Sequence, residues 1–347
     1  MTDLSLIWQD YGLDKLQEGI SSLFPERQFS LERLFQTVMS GDIMGALELL
    51  FQGSISDFLG ELAGMRNVFV WLLVLGIVSS LMTHFVEIFD RRQVADMGFY
   101  FMYLLFTAVL LKCFSQAVAI AVETVENILL FVKLMVPAYL LSVGVSSGAV
   151  TAGASYQMMI LVVYGVEYVL SAGLLPLIYS FVMLVIINGI WPEEKLGLLI
   201  ELVNKIIGWL LKGALGVVTG IGVFQALIAP VVDSARTSAL QRLISAIPGV
   251  GNAAGGVAEL ALGSAMVIRN SIGVILLLLL LLLCVVPLLK IGVIAGLLKA
   301  AAAFMGIVSD KRITQCADKT GDAGLLLLRT TGTALLLFLI AIAVTAV

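Results

Sequence analysis

Apolar residues along this chain form long runs, separated by short polar stretches, from Val68 to the C-terminus. The run at 273–289, GVILLLLLLLLCVVPLL, carries no charge, whereas the strands of a membrane β-barrel alternate apolar and polar residues. A helix needs about 20 apolar residues to cross a bilayer. The pattern therefore predicts an all-α, polytopic transmembrane helix bundle with about nine or ten membrane helices.

The individual runs place these helices along the chain. We expect membrane helices at 68–88, 98–121, 127–147, 156–173, 174–190, 207–229, 265–286, 287–308 and 323–346. Residues 238–258 are a tenth candidate that hydropathy alone would reject.

Residues 1–66 form a different region, because their apolar residues recur at helical spacing between acidic ones. The region holds ten acidic and four basic residues, and 54–57 (SISD) fits a capping box. We expect short amphipathic helices on the membrane or on a partner, followed by a transmembrane domain at 67–347. Met1 is not expected to begin a secretory signal, since no basic stretch with an apolar core follows it. Either the first membrane helix exports the region or a signal has been lost.

Lysine and arginine in short loops predict which loops face the cytoplasm. Basic residues lie at 91–92 and again within 309–322, so both loops are expected inside. The two loops reach the same side only if 238–258 also crosses the membrane. That topology puts 1–66 outside the cytoplasm and 191–195 (WPEEK) inside.

Two parts of the chain resemble each other. Residues 132–177 align with 242–288, and Pro137 and Pro248 are 111 residues apart, as are Pro176 and Pro287. An even number of crossings in each unit would make the repeats parallel rather than inverted. The predicted units are 97–206 and 207–321, and a final helix follows at 323–346.

The stretch 246–270 is rich in glycine and alanine yet lies between apolar runs. Irregular backbone at membrane depth is tolerated only where protein or water covers it, so we expect a broken or re-entrant helix inside the bundle. An extramembrane loop is the alternative. Charges within membrane helices also usually face the interior. The residues predicted to line this interior or pathway are Lys112, Glu167, Pro248, Gly249, Gly251, Gly255, Gly256, Glu259 and Arg269.

Pairs of glycines four residues apart allow helix backbones to approach closely. Such pairs predict helix packing at Gly144 and Gly148, Gly216 and Gly220, and Gly292 and Gly296. Tight packing without any conduit is the simpler interpretation of this pattern, since it is common in apolar sequences.

Composition excludes several classes of protein. The chain is 60% hydrophobic and only 13% charged, with a net charge of −4, so nothing suggests a nucleic-acid partner. Cys113, Cys284 and Cys316 are far apart, which argues against disulfides or a metal site and favours buried apolar roles. No Ser-His-Asp set, HExxH sequence or paired-carboxylate motif occurs. We therefore expect neither enzyme activity nor a cofactor.

The chain resembles the stage III sporulation protein AE family of endospore-forming bacteria. The most specific blocks are 234–274 (SARTSALQRLISAIPGVGNAAGGVAELALGSAMVIRNSIGV) and 284–303 (CVVPLLKIGVIAGLLKAAAA). Residues 134–155 and 7–17 (IWQDYGLDKLQ) resemble the family as well. The resemblance implies a multi-pass protein of the mother-cell membrane around the forespore.

That resemblance further implies a subunit of a channel or secretion-like complex joining the two cells. Its expected partners are the lipid bilayer, a secretion-type ATPase, ring-forming proteins, a forespore partner and further copies of itself. One alternative is a self-sufficient secondary transporter with Glu167 or Glu259 as a coupling carboxylate. Another is a scaffold that recruits ring proteins through 1–66.

Overall fold

The computed structural model describes residues 31–51, 92–147, 149–191, 195–245, 251–307 and 309–346, with isolated positions between 70 and 81. These residues form helices and turns, and no strand occurs among them. The helices are α1 (Leu31–Met39), α2 (Ile43–Phe51), α3 (Arg92–Ser147), α4 (Ala149–Tyr168), α5 (Leu175–Asn188), α6 (Gly197–Ser245), α7 (Gly251–Met305) and α8 (Lys311–Ala346). A π-helical segment, Val169–Leu174, joins α4 to α5.

The five long segments run alternately up and down. Tyr103 near the start of α3 contacts Ile186 near the end of α5, and Lys133 further along α3 contacts Glu167 on α4. Leu196, just before α6, donates a hydrogen bond to Asn188 at the end of α5, and Arg312 at the start of α8 lies over Phe99 of α3. The start of α3, the end of α5 and the starts of α6 and α8 therefore lie at one end of the bundle, which we call the polar end. Helix α8 lies at the centre, since it contacts α3, α4, α5, α6 and α7.

Four segments are long and apolar enough to cross a bilayer, judged by length and composition. They are Met97–Met135, Met159–Asn188, Asn270–Met305 and Lys311–Ala343. The chain is thus an all-α, multi-pass membrane protein, as the apolar pattern predicts. Most of the nine or ten predicted membrane helices fall in the described residues, and several of them are joined there into longer helices.

Three pairs of neighbouring predicted helices are joined in this way. The helices expected at 98–121 and 127–147 are one continuous helix, α3. Residues 122–126 (VETVE) separate the two apolar runs but include neither glycine nor proline. Glu123 and Glu126 lower the hydropathy there, yet glutamate is a good helix former. At 56 residues, α3 is about 84 Å long, far more than a hydrocarbon core of about 30 Å.

The sequence predicts helix ends next to two prolines, Pro176 and Pro287, but the chain stays helical on both sides of each. Pro176 lies in the first turn of α5, directly after the π-helical segment. Proline lacks an N–H and its ring crowds the carbonyl four residues earlier, and the wider π turn relieves that crowding. Pro287 lies inside α7, so 265–286 and 287–308 also belong to one helix.

Of the tenth candidate, 238–258, the structure describes the part of α6 up to Ser245 and the part of α7 from Gly251, so a separate crossing there stays a prediction. The start of α8 in the second basic segment nevertheless shares one end of the bundle with the start of α3, since Arg312 lies over the ring of Phe99.

Helices α1 and α2 contact α7. Leu34, Phe35 and Val38 recur at helical spacing on α1 and are buried, which confirms an amphipathic helix there. Gly41 has φ of +82° in the turn between the two helices, a conformation that residues with a side chain rarely adopt. The predicted capping box at 54–57 lies outside the described residues.

The predicted repeat remains a prediction. Helix α3 ends at Ser147 and α4 begins at Ala149, whereas the positions 111 residues later both lie inside α7. Pro137 lies in α3, and Pro248 lies outside the described residues. The matched proline spacing therefore does not correspond to matched helix boundaries.

Candidate functional site

The polar end gathers polar side chains from several helices that are distant in sequence. The guanidinium of Arg312 on α8 lies 3.6 Å from the ring centroid of Phe99 on α3. Asp310 accepts a hydrogen bond of 2.8 Å from the Arg312 backbone N–H, and Arg312 Nε lies 3.3 Å from the same carboxylate. Asp310 therefore caps α8, where the free N–H groups and the helix dipole favour a negative charge.

Tyr103 on α3 lies beside this cluster, since its ring stacks on that of Phe99 with the centroids 5.8 Å apart. Its side chain is buried, and its hydroxyl donates a 2.7 Å hydrogen bond to the carbonyl of Ile186. The last four carbonyls of a helix lack partners within that helix. Val185 and Ile187 receive backbone hydrogen bonds from Gly189 and Ile190, so Tyr103 satisfies the carbonyl that lies between them.

Tyr103→Phe should lower the free energy of unfolding by about 1–2 kcal/mol, because it leaves the partly buried Ile186 carbonyl without its donor. Thermal unfolding of the detergent-solubilised protein measures the effect. Tyr100→Phe is the matched control, since Tyr100 is exposed on the same helix and its replacement should change little. Equal unfolding temperatures for the two variants would contradict the assigned role of Tyr103.

A cavity of about 100 Å³ opens between the starts of α6 and α8 and the end of α5. Six of its lining residues are polar or charged: Asn188, Glu201, Asn204, Arg312, Gln315 and Lys319. Asn188 also accepts a 2.9 Å hydrogen bond from the Leu196 N–H, which fixes the turn between α5 and α6. The cavity is thus a small recess whose mainly apolar wall carries polar groups and charges of both signs.

An ion-pair cluster joins α7 to α8 beside this recess. Lys299 Nζ lies 2.7 Å from Asp318 Oδ1 and 2.7 Å from Asp322 Oδ1. Lys319 Nζ, which reaches the recess, lies 3.6 Å from Asp322 Oδ2. The Lys299, Asp318 and Asp322 side chains are 31%, 43% and 32% exposed, so the cluster is only partly solvated. Two cations balance two carboxylates in it.

Two glycines on α8 make this cluster possible. A Cβ at Gly321 would lie 2.9 Å from Lys299 Cγ, so the absence of a side chain lets the lysine stem cross α8. A Cβ at Gly324 would lie 2.9 Å from Ala295 Cβ and 3.2 Å from Ala295 Cα. Gly324 and Ala295 therefore form a close helix crossing of the small-residue type.

The predicted packing glycines do not form this contact. A Cβ at Gly216, Gly220 or Gly296 would meet nothing within 4 Å, and one at Gly292 would meet only Leu328 at 3.7 Å. Among the described residues, therefore, no close helix contact forms at these four positions. Gly144 lies in α3, and Gly148 lies outside the described residues. On α7 the contact uses Ala295 and Lys299, one turn apart, instead of the glycines beside them.

Of the predicted interior residues, Lys112 and Glu167 are the two whose side chains the structure describes, and it does not bring them together. Lys112 is exposed on α3, and Glu167 pairs with Lys133 at 3.7 Å, both about half exposed. Pro248 and Gly249 lie outside the described residues. Gly251, Gly255, Gly256, Glu259 and Arg269 lie along the first half of α7, whose backbone is continuously helical. Residues 251–256 form the opening turns of α7, and 246–250 lie outside the described residues, so the broken or re-entrant element expected at 248–256 stays a prediction.

Sequence reasoning missed Asp318 and Asp322 because it treated 309–322 as a loop. The structure begins α8 at Lys311. Two signals favour that helix: Asp310 is a suitable capping residue, and the two aspartates four residues apart would share one helix face. The partner on α7 cannot be identified in the same way, since Lys299 is one of several lysines in apolar runs.

Comparison with known proteins identifies a family that this chain matches. The family model described as stage III sporulation protein AE matches residues 29–347. A curated relative from Bacillus subtilis (strain 168), "Stage III sporulation protein AE", is 20% identical over 248 residues, which is 71% of this chain. The aligned region covers 62% of that relative's length. No solved structure matches the chain significantly.

Proposed function

The chain belongs to the stage III sporulation protein AE family, and on that premise we propose that it is a membrane subunit of a channel or secretion-like complex needed for endospore development. The match over 29–347 carries the sporulation role. The four membrane-spanning segments support a place within a membrane complex. We propose that the complex joins the mother cell to the forespore and that this chain lies in the mother-cell membrane.

The polar end supports a location for cytoplasmic partners. It holds the basic loop residues predicted to face the cytoplasm, and it offers this recess and exposed charges of both signs. We propose that a secretion-type ATPase docks there. Ring-forming proteins and a forespore partner would meet the opposite, extracytoplasmic side, with 1–66 contributing to the contact. The role is non-enzymatic.

Deleting the gene in the sporulating organism should block development after engulfment begins, and a plasmid copy should restore heat-resistant spores. Heat-resistant colony counts measure the effect, which we expect to be a loss of several orders of magnitude. Normal spore counts in the deletion strain would refute the role in sporulation.

Mild-detergent purification from sporulating cells tests the complex separately. Co-purification of an ATPase and ring-forming proteins supports the proposed assembly. Substrate uptake by the protein alone in liposomes would instead favour the secondary transporter. Glu167 is less suited to that alternative than expected, because Lys133 already pairs with it at 3.7 Å.

A further inference from the structure

One face of α3 carries an exposed row of residues spaced alternately four and three apart. We call it the α3 stripe; it consists of Lys112, Gln116, Ala119, Glu123, Glu126, Leu130 and Lys133, all of which are exposed. The positions between them include the buried Cys113, Ala117 and Ile128. Four of the seven residues are charged, although the stripe lies within the membrane-spanning segment Met97–Met135.

The charges of the stripe cannot all avoid the bilayer. A crossing takes about 20 residues, and every stretch of that length within Met97–Met135 contains Lys112, Glu123, Glu126 or Lys133. Charged side chains inside membranes face other protein or a water-filled cavity, because hydrocarbon does not solvate them. Glu167 on α4 already lies 3.7 Å from Lys133, so Lys112, Glu123 and Glu126 are the charges of the α3 stripe that need a cover other than lipid.

The interior of the described chain offers no polar passage that could serve instead. Its buried residues are apolar except for Ser271 and six threonines, and no charged side chain is buried among the described residues. Thr330 and Thr331 donate to carbonyls of their own helix. A larger cavity of about 430 Å³ between α4, α6 and α8 has an apolar lining, including Leu161, Val166 and Leu210.

We propose that the α3 stripes of several copies of this chain face one another around a water-filled lumen. The inference deepens the proposed channel role and rests on it for the lumen's use. Spacings of four and three keep one helix face toward a common axis. Copies arranged around an axis normal to the membrane hold each charge at equal depth, so Lys112, Glu123 and Glu126 form rings. Water must separate these rings, since like charges in direct contact repel.

Cysteine cross-linking tests the arrangement in membranes that contain this chain alone. The stripe variants are Gln116→Cys and Ala119→Cys, and the second replaces one small residue by another, so it should fold. Tyr164→Cys on α4 and Trp209→Cys on α6 are the controls, at positions 65% and 74% exposed. The native cysteines are buried, which keeps the background low. Each variant is treated with a short bismaleimide and, separately, with a membrane-impermeant thiol reagent.

We expect both stripe variants to give species of twice the monomer mass or more, and to react with the impermeant reagent several-fold faster than the controls. Reaction without cross-linking would overturn the ring of copies, since the stripe would then face water or another protein. Neither reaction nor cross-linking would place the stripe against lipid and overturn the lumen as well. Because no other sporulation protein is present, these outcomes are independent of spore counts.

Discussion

Gly324→Ala should lower the thermal stability of the detergent-solubilised protein, whereas Gly332→Ala on the same helix should raise it. At Gly324 the new Cβ would lie 2.9 Å from Ala295 Cβ and 3.2 Å from Ala295 Cα. Neither atom belongs to a flexible side chain, so α7 and α8 must separate. Overpacking of this kind costs about 1–3 kcal/mol, which exceeds the gain of up to about 1 kcal/mol from replacing glycine within a helix.

Gly332→Ala is expected to change the stability in the opposite direction. A Cβ there would meet nothing within 4 Å, so only the helix-propensity gain remains. Unfolding temperatures of the two variants, measured in one detergent, give the comparison. If Gly324→Ala is as stable as Gly332→Ala, the close crossing of α7 and α8 does not exist.

Lys299→Met should destabilise the protein by about 1–3 kcal/mol, because Asp318 and Asp322 lose the ammonium group that lies between them. Breaking a fully buried ion pair costs about 3–5 kcal/mol, and the estimate is smaller here since these side chains are about a third exposed. Thermal unfolding measures the loss, and spore counts from the variant report its effect in the cell.

Two further variants show whether the charge itself is responsible. Adding Asp318→Asn and Asp322→Asn to Lys299→Met should restore much of the stability, since no unpaired carboxylate then remains. Lys133→Met is the matched single replacement. Its pair with Glu167 is longer, at 3.7 Å, and about half exposed, so the loss should be at most about 1 kcal/mol. A loss in the triple variant equal to that of Lys299→Met would mean that packing of the lysine stem matters, and not its charge.

The α3 stripe shows what a local sequence pattern can predict about a helix and what it cannot. Its seven positions can be read from the sequence once α3 is known to be one helix, because exposure follows the alternate spacing of four and three residues. The prediction of two helices with a break at 122–126 concealed that regularity. Hydropathy measures how well a segment suits lipid and says little about where a helix ends. Lys112 could thus be selected as a pathway residue, but not its companions.

The sequence by itself determined the all-α class, the membrane location, the amphipathic α1 and the family, since these depend on composition, periodicity and contiguous motifs. Only the tertiary structure decided the pairing of helices. Three such pairings are those of Lys299 with Asp318 and Asp322, of Gly324 with Ala295, and of Tyr103 with Ile186. In each, the sequence around one residue does not predict which residue of the other helix it contacts. Many lysines, glycines and tyrosines have similar neighbours in sequence. Which of them meet depends on the register of two helices along each other, and side-chain packing over their whole length sets that register.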